Sequence, residues 1–162
     1  MLALFAFSMV VGLAATVTDL RSRTIPNELS AGALAVGLAA RTYLYGWAGL
    51  TDSLLGALIG FAVFLVFYLL GGMGGGDIKL MAAFGGLLGR EQILAASIWT
   101  AIAGALIALG YLAFKKLRRA VRKERRASDE LDRKDSMPYA PAIWLGVLLS
   151  FLSEEELWTN VC

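Results

Sequence analysis

Long apolar stretches constrain this chain more than any other feature it has. Residues 2–18, 29–45, 54–70 and 93–114 are almost free of charge, and each is close to the ~20 residues that cross ~30 Å of hydrocarbon as a helix. A soluble domain of 162 residues has no core large enough for four such segments, and 58% hydrophobic against 17% charged residues is far from a soluble balance. The chain is therefore expected to be an all-α, polytopic membrane protein. Two shorter runs, 78–88 and 138–152, bring the expected count to six transmembrane helices. Residues 2–15 also have the look of a cleaved signal segment, but no Lys or Arg precedes them.

Charge sets the expected topology. Of 15 Lys and Arg residues, 13 fall in three clusters: Arg21 with Arg23, Lys79, and ten within 115–134. If all six runs cross, these clusters share one side, which the positive-inside bias makes cytoplasmic, and both termini lie outside. Skipping the short run 78–88 would separate the stretch KKLRRAVRKERR from Arg21 and Arg23, so it is kept as a crossing. Its eleven residues reach only about 16 Å as a helix, so irregular backbone that is buried or faces water must supplement it. The glycine run 71–76 before it permits close backbone approach and unusual dihedral angles. Gly56 and Gly60 read as a small-residue helix contact, and Asp52 as the cap of the third helix. Residues 115–137 read as a basic cytoplasmic loop, helical in part, that touches anionic lipid. The six-helix domain takes in residues 1–152, and no role is assigned to the tail 153–162.

The sequence contains no histidine, and Cys162 is its single cysteine. Ser-His-Asp and Cys-His catalysis, cysteine zinc clusters and His-ligated metal sites are thereby excluded, which leaves carboxylates, Lys, Ser, Thr and Tyr. Asp19 closes the first apolar run and Asp77 opens the fourth. Carboxylates at a membrane boundary are costly to desolvate, so a pair at one depth points to function. The plainer alternative is that Asp19 pairs with Arg21 or Arg23 while Asp77 caps its helix.

Asp19 stands in DLRSRTIPN and Asp77 in GMGGGDIK, and these segments resemble the prepilin peptidase family. Gly74-Gly75-Gly76-Asp77 is similar to the Gly-x-Gly-Asp signature of intramembrane-type aspartic peptidases, and Lys79 matches a basic residue that often follows it. Ile25, Pro26 and Asn27 match the family's Ile-Pro-Asn, which follows its first Asp after five intervening residues. Pro138-Tyr139-Ala140-Pro141 is similar to the family's Pro-Phe-Gly-Pro turn, with departures at Tyr139 and Ala140. The resemblance runs from residue 2 to about residue 152.

The resemblance implies a peptidase of the cytoplasmic (inner) membrane, with its active site facing the cytoplasm. It further implies Asp19 and Asp77 as the catalytic pair, Gly74, Gly76, Lys79, Ile25, Pro26 and Asn27 as supporting residues, and Pro138 and Pro141 as a possible substrate turn. The implied substrate is a prepilin or pseudopilin of a pilus or secretion system, cut between its basic leader and its hydrophobic helix. Membrane lipid is the other expected partner, while no nucleic acid, metal or cofactor is called for. Larger family members carry a cysteine-containing segment between the first two helices and also methylate the product. Only residues 24–29 separate those helices here, so a short form without methyltransferase activity is expected. On their own helices, Asp77 lies at an amino end and Asp19 at a carboxyl end, which makes Asp77 the expected base and Asp19 the expected proton donor. Other classes stay open: a small ion- or proton-coupled transporter, a non-catalytic subunit of a secretion apparatus, or a Ser-Lys peptidase using Lys79 with Ser22 or Ser136.

Overall fold

The computed structural model describes residues 2–22, 24–70, 73–121 and 139–159. Arg23, Gly71, Gly72, Pro138 and most of the basic loop lie outside the described residues. All regular structure among those described is helical: α1 (Leu2–Ser22), α2 (Asn27–Leu69), α3 (Gly75–Leu88), α4 (Arg90–Val121) and α5 (Ala140–Thr159). Five elements are thus delineated where six apolar runs were expected, because runs 29–45 and 54–70 both fall within α2.

α2 is nevertheless not one rod. Gly46 has φ 62 and ψ −143, outside helical space and in the region that favours glycine. In a straight helix Arg41 and Gly49 would stand about 12 Å apart along the axis. Instead a Cβ added at Gly49 would strike the Arg41 carbonyl, and Arg41 forms an ion pair with Asp52. The chain therefore doubles back at Gly46 and gives two arms, each roughly 20 residues long, the length that crosses hydrocarbon.

Both arms close on α3, whose 14 residues reach about 21 Å. Gly37 of the first arm lies against the backbone of Gly86 and Leu87; Gly56 and Gly60 of the second lie against Gly85 and Met81. Any Cβ at these positions would meet backbone, so the small-residue contact expected of Gly56 and Gly60 is what the structure contains. α3 is the centre of the fold. Leu80, Met81, Phe84 and Leu87 are essentially fully buried, and Ile93, Ile143 and Val147 from α4 and α5 complete the core around them.

The outer surface is apolar where a soluble protein would be polar. Leu13, Leu54, Leu58, Ile98, Leu106 and Leu109 are all largely exposed, while Ser8, Ser53, Ser97 and Thr100 are buried. This inversion over long helices is that of a bundle solvated by lipid. α1 and α2 each have the length and hydropathy of a membrane span. α4 continues into the first residues of the basic loop, and α5 continues through residue 159 into the tail.

The far end of α3 explains two charges that the basic clusters left out. Arg41 Nη1 donates to the Leu88 carbonyl at 2.9 Å and to that of Leu87 at 3.3 Å, so it caps the carboxyl end of α3. Asp52, expected to cap the third helix, lies inside α2 instead, directly after Thr51. Its Oδ1 accepts from the Arg90 backbone N–H at 3.4 Å, at the start of α4, and sits 3.4 Å from Arg90 Nε. The reversal at Gly46 had already brought Asp52 beside Arg41, and that fixes where its oxygens point. Gly89, between α3 and α4, has φ 84, where any side chain is strained, and a Cβ there would press on the ends of the Asp52 and Arg41 side chains.

Candidate active site

At the other end of α3, the chain enters the helix through Gly74, the N-cap residue. Asp77 is the third helical residue. Its backbone N–H donates to the Gly74 carbonyl at 3.2 Å, and its Oδ2 accepts from the Gly74 N–H at 3.1 Å. The carboxylate thus folds back on its own helix start, where orphan N–H groups and the positive end of the dipole favour negative charge. It is 7% exposed.

Asp19 reaches the same end from a different direction. It lies in the last turn of α1, is also 7% exposed, and its Oδ2 accepts from the Ala140 N–H at 3.2 Å. Ala140 is the first residue of α5 and is completely buried. Pro141 follows in the first turn, where a residue without N–H is tolerated, and the N–H groups of Ala142 and Ile143 both return to the Tyr139 carbonyl. Pro141 therefore shapes the helix start that presents Ala140 to Asp19. A backbone N–H carries this contact, so alanine at position 140 serves it. No side-chain type in the sequence marks Ala140, and only the proline beside it signals a helix start. Pro138 lies outside the described residues.

Each carboxylate accordingly faces a helix amino end: Asp77 its own, Asp19 that of α5. Helix ends consequently do not separate the two as base and donor, because the unfavourable carboxyl end of α1 is met by the favourable amino end of α5. The two carboxylates, 58 positions apart in sequence, are near enough that the charge of Asp19 acts on Asp77.

The remaining motif residues converge on this pair. Lys79 Nζ donates to Asn27 Oδ1 at 2.8 Å, joining the start of α3 to the start of α2. Pro26 is the N-cap of α2, with φ −59 and ψ 136, and Ile25 packs partly buried against the core. A Cβ at Gly76 would lie 3.3 Å from Ile25 Cβ. Glycine there permits an approach closer than an ordinary side-chain contact. The expectation of unusual dihedral angles does not hold at Gly74, whose φ of −84 and ψ of 156 suit any residue; a Cβ there would lie 3.4 Å from Asp77 Oδ2, an ordinary contact. Positive φ occurs at the opposite end of the helices, at Gly46 and Gly89.

Ser22 and Lys79 are not brought together as a nucleophile and base. The exposed Lys79 is engaged by Asn27, and the Ser22 hydroxyl donates to the Thr18 carbonyl at 2.8 Å within its own helix. Ser136 lies outside the described residues.

An apolar cavity of about 210 Å³ lies beside the carboxylate end, walled by Phe64, Phe67, Met73, Gly104 and Tyr139 among others. Met73 directly precedes the Gly74 N-cap, and Tyr139 directly precedes Ala140.

Comparison with known proteins bears on this arrangement. The profile of the type IV leader peptidase family matches residues 6–109. The chain is 32% identical over 145 residues to the prepilin leader peptidase/N-methyltransferase of Bacillus subtilis, covering 87% of this chain and 52% of that protein. It is 33% identical over 93 residues to prepilin peptidase EppA of Methanococcus maripaludis, covering 57% of this chain and 25% of that protein. It is also 33% identical over 107 residues to the prepilin leader peptidase/N-methyltransferase of Aeromonas hydrophila, covering 62% and 37%. The chain thus spans about half or less of the length of these relatives. No solved structure matches it.

Proposed function

Because this chain belongs to the type IV leader peptidase family, we propose that it is a membrane-embedded aspartic endopeptidase that removes leaders from prepilins or pseudopilins, with Asp19 and Asp77 as its catalytic pair. The observation that carries this reading is the convergence of two buried carboxylates from separate helices, each held by one backbone N–H among the described donors. An ionised carboxylate can accept about four hydrogen bonds, so each keeps capacity for water and substrate.

The chemistry follows from that spare capacity. A carboxylate pair sharing one proton can hold a water between its members. The ionised member takes a proton from this water as the oxygen attacks the scissile carbonyl carbon, and the protonated member gives its proton to the carbonyl oxygen. The tetrahedral intermediate then collapses, with a proton passing to the leaving nitrogen. Because the pair titrates as one unit, activity has a bell-shaped pH profile that belongs to the dyad.

The membrane reading has six crossings: α1, the two arms of α2, α3, α4 and α5. The dyad end is cytoplasmic and the Gly46 reversal lies outside, with residues 1–152 as the catalytic domain. The 13-to-2 split of basic residues supports this orientation. The relatives named as combined peptidase and N-methyltransferase are longer, and the short connection between α1 and α2 supports peptidase activity without methyl transfer.

The test is co-expression with candidate prepilins, comparing the parent with Asp19→Asn and Asp77→Asn. Both substitutions are expected to abolish leader removal while the protein still inserts. Cleavage at parental rates by either one overturns the dyad. Orientation is tested in intact cells, in a Cys162→Ser background: a cysteine at Trp47 is expected to react with an impermeant reagent added outside, and one at Ser128 is not. Labelling at Ser128 refutes the six-crossing arrangement.

A further inference from the structure

A second cavity, of about 410 Å³, opens beside the Gly46 reversal, at the end of the bundle away from Asp19 and Asp77. Arg41, Tyr45, Thr51, Asp52, Leu55 and Arg90 are among the residues that wall it. Two guanidinium groups face one carboxylate, so the wall carries one net positive charge. The Arg41 side chain is 10% exposed and pairs with Asp52, yet its buried Nε–H has no acceptor. Arg90 leans on Asp52 through Nε, and its side chain is otherwise 57% exposed. The amino end of α4 begins at Arg90 and adds a positive pole to the same place.

A second, independent observation bears on the depth of this cavity in a bilayer. Tyr43 and Trp47, on either side of Gly46, are 90% and 81% exposed. Amphipathic rings concentrate where hydrocarbon gives way to headgroups, and their position on the reversal puts the cavity at headgroup level.

We propose that this cavity binds the phosphate of a phospholipid headgroup, taking an anionic phosphatidylglycerol-type lipid in preference to a zwitterionic one. Guanidinium groups bind phosphate oxygens through paired charge-assisted hydrogen bonds; the largely exposed Arg90 offers its guanidinium for this, while the buried Arg41, held by Leu87, Leu88 and Asp52, adds positive charge to the wall. A choline cation attached to the phosphate would meet Arg90 as a like charge, which sets the preference. Leu55 and the Tyr45 ring offer apolar surface to the glycerol and the start of the acyl chains. The proposal depends on the reversal lying at a bilayer surface and is independent of peptidase activity.

The full chain, purified in a nonionic detergent, is titrated with dihexanoyl phosphatidylglycerol, dihexanoyl phosphatidylcholine or inorganic phosphate, and adducts are counted by native mass spectrometry. The parent is expected to retain phosphatidylglycerol several-fold better than phosphatidylcholine. Arg90→Gln, which touches neither the dyad nor the cap of α3, is expected to weaken that retention about fivefold to tenfold, and Arg90→Lys is expected to recover part of it. Equal retention by the parent and Arg90→Gln overturns the site. Equal retention of the two lipids overturns the anionic preference. Phosphate held as tightly as lipid marks a free-anion site and overturns the lipid assignment.

Discussion

Asp52 at one end of α3 and the pair Asp19 and Asp77 at the other stand about 16 Å apart along that helix, and they differ in what meets their charge. Asp52 is paired with Arg41 and leaned on by Arg90, and it also accepts the first N–H of α4. Its acceptor capacity is spent on holding α2, α3 and α4 together. Each of Asp19 and Asp77 has a single described donor, a backbone N–H. A clamp uses up its hydrogen bonds, whereas a carboxylate that must hold water and substrate keeps some unused.

The sharpest way to break this comparison is to neutralise each carboxylate and read activity and stability separately. Asp19→Asn and Asp77→Asn are expected to lower turnover by about 10²–10⁴-fold, the usual contribution of a general acid or base, with little change in thermal unfolding in detergent. Asp52→Asn should do the reverse. It strands Arg41 and is expected to cost roughly 2 kcal/mol, less than a fully buried pair because Asp52 is about a quarter exposed, while turnover per folded molecule stays near parental. Equal losses of activity at both ends would remove the distinction.

The next effect in size belongs to the packing that joins the ends. Gly56→Val and Gly85→Val each drive a side chain into the backbone of the facing helix, and overpacking of this kind costs roughly 1–3 kcal/mol. Gly32→Ala, with open space around its Cβ position, is expected to be neutral or stabilising. Chemical denaturation in mixed micelles measures both. An unaffected Gly85→Val would mean that α2 and α3 are not in backbone contact.

How much of each end was legible in the sequence follows from the same difference. Asp19 and Asp77 stood out by their position at the edges of apolar runs, whereas Ile-Pro-Asn and the Gly-x-Gly-Asp pattern were marked by their resemblance to the prepilin peptidase family. The Ala140 N–H was not legible, because a backbone donor has no residue type. The clamp was half legible: Arg41 and Arg90 stood out as the two basic residues outside the three clusters, but their joint partner depended on a reversal at Gly46 that a glycine within an apolar stretch does not announce. The gap between runs 29–45 and 54–70 reads as a loop, yet residues 47–53 continue the helix, since capping by neighbouring elements replaces the polar loop a soluble protein would need. The glycine freedom was expected across 71–76; Gly74 does not use it, Gly71 and Gly72 lie outside the described residues, and Gly46 and Gly89, where the chain turns, do use it.

A smaller effect separates the two glycines of the signature. Gly76→Ala puts a Cβ 3.3 Å from Ile25, so Ile25 or the start of α3 must shift by a few tenths of an ångström. Because misplacing a reacting group by about 1 Å costs roughly 100-fold, a loss of about 3-fold to 10-fold in turnover is expected. Gly74→Ala meets only an ordinary contact, and its backbone angles suit alanine, so it should stay within about 2-fold of the parent. Steady-state cleavage of a leader peptide by the two variants tests this. A larger loss at Gly74 would mean that the room beside Gly74, and not that beside Gly76, is what positions Asp77.

The smallest effect expected is that of the Lys79 to Asn27 bridge, and it distinguishes a latch from a charge effect. Both side chains are exposed, and a hydrogen bond between exposed groups contributes well under about 1 kcal/mol. Its importance lies in what it joins: Asn27 opens α2 directly after Ile-Pro, and Lys79 stands two residues beyond Asp77. If the bridge acts by holding these segments together, Lys79→Gln and Asn27→Ala should each lower kcat about 2-fold to 3-fold, and the double variant should be no worse than either single one. If instead Lys79 acts through its positive charge near the dyad, Lys79→Gln alone should shift the pH profile, and Asn27→Ala should leave it in place. A double variant whose loss is the product of the two single losses would show that the residues act independently, and the bridge would then be incidental to how Asp77 is held.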